Sequence, residues 1–215
     1  NNVSNNISVY TIDQTTGALT AGTPVDAGSL PRSVTVDPSG RFAYAANWSS
    51  GNVSVYAINQ TTGALTAVST APTGTNPSSI SVDPSGRFAY AANWSSDNIS
   101  VYAISQTTGA LTLVATEQQA GGTAPCSVMV DPSGRFAYAT SAGSDNISIY
   151  AIDQNTGGLT AIATRSTGPT SSPRSVAVDP SGMFAYTANW TSSKISVYTI
   201  DQTGGTLTPG TAVTA

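Results

Sequence analysis

A chain of 215 residues with seven basic and eleven acidic side chains, a net charge of −4 and no histidine, carries no basic stripe for nucleic acid. No apolar run reaches the roughly 20 residues of a membrane-spanning helix, and no cationic, apolar signal segment opens the chain. Cys126 is the only cysteine, so no internal disulfide forms, and the scarcity of lysine among abundant Ser, Thr and Asn leans toward an extracytoplasmic or secreted protein. The first residue is Asn1 rather than Met, which reads as a processed, trimmed or partial chain.

In chain order, the first thirty residues hold two strand signals, around Ile7-Ser8-Val9-Tyr10 and Leu19-Thr20-Ala21, joined by the turn Asp13-Gln14-Thr15-Thr16-Gly17. A phrase then begins that recurs four times, Val-Asp-Pro-Ser-Gly followed by a strand such as Arg41-Phe42-Ala43-Tyr44. Its aspartates, Asp37, Asp83, Asp131 and Asp179, are 46, 48 and 48 residues apart. A tandem period of this size built from strands and turns predicts a β-propeller.

One repeat predicts four strands. Ser33–Val36 alternates polar and apolar, and Asp37-Pro38-Ser39-Gly40 is turn chemistry. Arg41–Ala46 returns with Phe42 and Tyr44 on one face and Ala43 and Ala45 on the other, a division suited to a sheet packed on both sides. Val53–Ile58 and Ala64–Val68 complete the blade around the turn Asn59–Gly63. The four aspartates and Asp13, Asp153 and Asp201 are read as turn residues rather than as acids for chemistry.

The inner hairpin occurs four times and the outer hairpin five times. The expected architecture is therefore all-β: a propeller of four-stranded antiparallel blades at 31–76, 77–124, 125–172 and 173–215, preceded by a two-strand half-blade at 1–30. Unpaired strand edges invite association. The chain is expected to self-associate through Ile7, Ser8, Val9 and Tyr10, each copy's strand pairing antiparallel with the other's, unless missing inner strands lie upstream.

Candidate site residues follow from the repeat. At the start of each innermost strand stands Pro, a variable residue, then Ser, and the variable positions are Arg32, Ser78, Cys126 and Arg174. Around a channel mouth, two guanidinium groups would hold a carboxylate or phosphate bidentately. Trp48, Trp94 and Trp190 recur in the loop after the second strand, where Ser141 and Ala142 stand in the third blade. They either stack a sugar or partner, or cover the gap between blades. Asn-x-Ser/Thr sequences, as at Asn47 and Asn93, are read as polar strand-edge residues of the repeat. No metal-ligand spacing or phosphate-cradling glycine loop occurs, no cofactor is implied, and Cys126 has no histidine to activate it.

The phrase Val-Asp-Pro-Ser-Gly-Arg-Phe-Ala-Tyr-Ala-Ala-Asn and its sequel Ile-Ser-Val-Tyr-Ala-Ile-x-Gln-Thr-Thr-Gly-Ala-Leu-Thr resemble the lactonase-like (YVTN-repeat) propeller family. That family includes phosphogluconolactonases and carboxymuconate cyclases, typically with seven blades. The resemblance implies an active site built partly from a Pro-Arg-His start of an inner strand. Pro31-Arg32 and Pro173-Arg174 match it, but Ser33 and Ser175 stand at the His position. The leading reading is a non-catalytic scaffold or binding module. The alternatives are a lactonase-type hydrolase of an anionic sugar lactone using Arg32 and Arg174, or a carbohydrate or surface-recognition module using the tryptophans.

Overall fold

The computed structural model describes residues 1–214 and contains strands and turns without a helix. Four antiparallel sheets follow one another along the chain. They are β5–β8 (Pro31–Val36, Phe42–Asn47, Asn52–Ile58, Leu65–Pro72), β9–β12 (Pro77–Val82, Phe88–Asn93, Asn98–Ile104, Leu111–Gln118), β13–β16 (Pro125–Val130, Phe136–Ser141, Asn146–Ile152, Leu159–Ser166) and β17–β20 (Pro173–Val178, Phe184–Asn189, Lys194–Ile200, Leu207–Pro209). A short β21 (Val213–Thr214) continues the last edge by pairing with β19. Ahead of them lie β1 (Asn6–Ile7) paired with β4 (Val25–Asp26), and β2 (Tyr10–Ile12) paired with β3 (Leu19–Ala21). This opening segment is an outer hairpin without an inner one.

The strands run close to expectation, with one difference. The fourth strand of the first blade extends over Leu65–Pro72 rather than stopping at Val68, because a bulge opposite Val55/Tyr56 absorbs one residue and pairing resumes to Asn52↔Pro72. The same break separates β1 from β2, where the Gly22 amide donates to the Val9 carbonyl.

Each inner turn is held by its aspartate. Asp37 Oδ1 accepts the Phe42 amide at 2.7 Å, and Asp83, Asp131 and Asp179 accept those of Phe88, Phe136 and Phe184. Gln60, Gln106, Gln154 and Gln202 each donate from the outer turn to the inner-turn glycine carbonyl, tying both turns together on one end of the blade.

Blades stack large against small. Phe42, Tyr44 and Ala46 of the first blade share a core with Ala89, Ala91, Tyr102 and Ile104 of the second, and the pattern repeats at the next two interfaces. The phenylalanine ring lies on a glycine of the next blade's outer turn: a Cβ at Gly109, Gly157 or Gly205 would fall 2.4 Å from Phe42, Phe88 or Phe136. Beside it Tyr44, Tyr90 and Tyr138 donate to the carbonyls of those same glycines, and burial pushes their phenol pKa values well above the ordinary range. Arg41, Arg87 and Arg135 reach the carbonyls of Gln106, Gln154 and Gln202.

Nearer the axis, the innermost strands β5, β9, β13 and β17 pack in succession. The serine after each variable residue fastens them, since Ser33, Ser79 and Ser127 accept the backbone amides of Ile80, Val128 and Val176 in the following blade. These serines hold neighbouring blades in register.

Candidate channel-mouth site

The four variable positions converge. Arg32, Ser78, Cys126 and Arg174, from four different blades, line one cavity of about 450 Å³ with Asn2, Pro31 and Trp94. The convergence follows from the repeat: each residue is the second of its innermost strand, so a common register brings all four to one end of the channel. The residue before each strand's proline, Leu30, Asn76, Ala124 or Ser172, is held left-handed at φ between 46° and 57°. Its carbonyl accepts the amide of Trp48, Trp94, Ala142 or Trp190. Such a conformation costs an ordinary residue about 1–2 kcal/mol, so the surrounding structure holds this rim in place.

Both guanidinium groups lie over indoles. Arg32 Cζ is 3.5 Å from the Trp48 ring centroid, Arg174 Cζ is 4.8 Å from that of Trp94, and the two indoles meet at 6.0 Å. Arg174 therefore crosses from the fourth blade to the tryptophan of the second instead of covering Trp190, sixteen residues ahead of it. The third blade has Ala142 at the tryptophan position.

The cavity is electrostatically one-sided. No carboxylate lines it. Burial and the neighbouring Arg174 charge hold the Arg32 guanidinium below its ordinary pKa. Two like charges thus face one space without an acid between them. Burial also pushes the Cys126 thiol up to about 11 against the opposing pull of Arg174, so at neutral pH it is a thiol rather than a thiolate nucleophile. The Ser78 hydroxyl lies 2.9 Å from the Pro125 carbonyl and 3.1 Å from that of Ala92, bridging the second and third blades.

Trp190 is not part of this constellation. It is 75% exposed and lines a separate cavity with Arg174, Asn189, Lys194 and Ile195 on the outer flank of the last blade. Among the described residues no group of histidine, cysteine or acid side chains is arranged to hold a metal. Sequence reading missed Pro31 and Asn2 as lining residues, and it noted the serines after the variable positions only as departures from histidine. Their recurrence at an inner-strand position facing the next blade was the available signal.

Successive four-stranded antiparallel blades whose innermost strands pack side by side define a β-propeller array. The family described as lactonase, 7-bladed beta-propeller, matches residues 1–77, 63–126 and 118–214, and the chain belongs to it. Among solved structures it is similar to a candidate 6-phosphogluconolactonase from Bacteroides uniformis, at 19% identity and TM-score 0.86, over 98% of this chain and 65% of that one. A second candidate 6-phosphogluconolactonase, from Bacteroides fragilis, aligns at 22% identity and TM-score 0.83 over 98% and 65%. A periplasmic gluconolactonase from Pseudomonas aeruginosa aligns at 24% identity and TM-score 0.82 over 97% and 63%. The chain thus spans under two thirds of the length of these propellers, and at these identities the likeness concerns the fold. The search of curated proteins finds no match.

Proposed function

We propose that the channel-mouth cavity binds a small carboxylate- or phosphate-bearing sugar derivative, and that the chain acts as a binding module for it. The observation that carries this reading is the pairing of Arg32 and Arg174 over a cavity lined by no carboxylate. An anion between the guanidinium groups relieves their mutual repulsion and accepts bidentate hydrogen bonds from either. Trp94 lines the cavity beside them and adds apolar surface for a sugar ring, while Trp48 lies under Arg32. The groups this chain brings to the cavity bind and orient; neither a protonated Cys126 thiol nor a Ser78 hydroxyl engaged with carbonyls is a base.

Calorimetry with 6-phosphogluconate, gluconate and glucose tests the reading. The two anions are expected to bind and glucose not to, with Arg32→Ala or Arg174→Ala weakening binding roughly tenfold or more, as for loss of a charge-assisted hydrogen bond. Equal affinity for glucose, or binding that survives both substitutions, overturns it. A second reading, hydrolysis of an anionic sugar lactone, is favoured by the family match and the descriptions of the similar structures. It requires turnover of 6-phosphogluconolactone above the spontaneous rate that Arg174→Ala abolishes.

A further inference from the structure

Arg32, Ser78, Cys126 and Arg174 are each the unpaired residue of a bulge. Pro31 pairs with Asn47 and Ser33 with Ala46, and the register slips in the same way at Pro77/Ser79, Pro125/Ser127 and Pro173/Ser175. A bulge residue is free of the ladder and is aimed by the backbone on either side of it. On the near side that backbone is the left-handed residue before the proline, Leu30, Asn76, Ala124 or Ser172. In three of the four connections its amide is taken by a side chain of the preceding blade or half-blade. Asn5 Oδ1 accepts the Leu30 amide at 2.8 Å, Asp97 Oδ1 that of Ala124 at 2.6 Å, and Asp145 Oδ1 that of Ser172 at 2.7 Å. Gly51 stands at this position in the first blade, and the connection after it leads to Ser78, whose hydroxyl is already fixed by two carbonyls. The clamped connections lead to Arg32, Cys126 and Arg174.

The fourth connection leans on its clamp most. In the first three blades a loop serine, Ser50, Ser96 or Ser144, also accepts the amide two residues before the strand's proline, from Ser29, Thr75 or Thr123. Its counterpart Ser192 has a buried Oγ without a hydrogen-bond partner. Gly28, Gly74 and Gly122 stand three residues before their prolines, where a Cβ would fall 2.8 Å or less from Asn47, Asn93 or Ser141. Thr170 occupies that position in the fourth connection and is turned left-handed, at φ 51°. The chain here buries Ser171, whose hydroxyl lies against that of Thr167 and 3.2 Å from Asp145 Oδ1. One carboxylate oxygen receives both Ser171 and Ser172, and these hydrogen bonds, the Ser172 amide foremost, hold the Asp145 carboxyl below its ordinary pKa.

We propose that Asp145 is the positioning residue for Arg174: by fixing the Ser172 amide it sets the bulge from which the guanidinium reaches across the channel mouth to Trp94. It acts through Arg174 rather than on a ligand, since Asp145 does not line the cavity. Asp97 makes the same clamp one blade earlier but leads to Cys126, so it serves as a control with the same local structure. Glycine at either position keeps the left-handed backbone, as Gly51 does at φ 60°, and removes only the carboxylate. The consequence for ligand affinity rests on the anion-binding reading above, whereas the placement of Arg174 does not.

Two measurements on Asp145→Gly and Asp97→Gly test the proposal. In proton–nitrogen correlation spectra the Arg174 Nε–H signal, assigned by its loss in Arg174→Ala, is expected upfield of an exposed arginine's because it lies over the Trp94 ring. It should return toward the exposed position in Asp145→Gly and stay in place in Asp97→Gly. Calorimetry with 6-phosphogluconate is expected to show affinity weakened roughly fivefold or more by Asp145→Gly, retained in Asp145→Asn, which keeps the acceptor oxygen, and unchanged by Asp97→Gly. In an Arg174→Ala background, Asp145→Gly should weaken binding no further. Urea denaturation reads the stability cost, which should be alike for the two glycine variants, and Asp145→Ser repeats the arm with the residue type that Ser193 holds at the same left-handed position. An Arg174 signal unmoved by Asp145→Gly, one moved equally by Asp97→Gly, or a further loss of affinity in the Arg174→Ala background overturns the proposal. A wild type that binds no sugar anion while the Arg174 signal moves as expected overturns the ligand reading and upholds the positioning role.

Discussion

Phe88 and Phe184 occupy the same position in the second and fourth copies of one phrase, have the same turn clamp on their amides, and live in opposite surroundings. Phe88 is 7% exposed, with its ring over Gly157 and the apolar side chains of the third blade around it, while Phe184 is 37% exposed. The backbone at each is held locally, by Asp83 and Asp179 at 2.8 Å. What separates them is whether a further blade packs on the ring among the described residues. Local sequence builds a blade, and adjacency decides what its side chains are worth.

That contrast is tested most severely by truncating both rings. Phe88→Ala is expected to cost about 3–5 kcal/mol through lost burial and a residual cavity, and Phe184→Ala about 1 kcal/mol or less in dilute protein. Urea denaturation of the two variants compares them directly, and equal losses would mean that blade stacking contributes little. Next come the glycines. Gly109→Ala and Gly63→Ala both force alanine into a left-handed turn at φ near +70°, but only at Gly109 does the new methyl collide with Phe42. The shared conformational penalty is about 1–2 kcal/mol, and Gly109→Ala should lose a further 1–3 kcal/mol or so by overpacking. Their thermal melts should therefore separate clearly.

The smallest effect concerns the first blade's partner. Thr73, in the connection leading to the second blade, donates to Asn93 Oδ1 at 2.6 Å, whereas Ala27 stands at the matching position before Asn47, whose Oδ1 is buried without a hydrogen-bond partner. Ala27→Thr should supply the missing donor and raise stability by about 0.5–1.5 kcal/mol. Calorimetric melting of the variant provides the measurement, and an unchanged melting temperature would show that water already satisfies Asn47.

Much of this was legible before any coordinates. The alternation of Phe42 and Tyr44 with Ala43 and Ala45 announced a sheet with one bulky and one flat face, and the structure stacks those faces on each other. The surplus outer hairpin at 1–30 followed from counting Ser-Val-Tyr phrases against Asp-Pro-Ser-Gly turns. The site was legible in part: the variable residue between Pro and Ser identified Arg32, Ser78, Cys126 and Arg174, since equal register implies equal height in the channel. The partners of those arginines were not legible. Arg32 stacks on the tryptophan sixteen residues ahead, whereas Arg174 lies over Trp94 two blades away, a choice that no pattern within one repeat specifies.

By itself the sequence determined the blade: four strands, their faces, and the turns that join them, because hydrophobic period and turn chemistry act over a few residues. Only the tertiary structure decided which repeated residues became core, which became exposed flank, and which met at the channel mouth. Those outcomes depend on contacts between residues some 47 to 67 positions apart, such as Ser78 with Pro125 and Tyr90 with Gly157, whose distances no local pattern encodes.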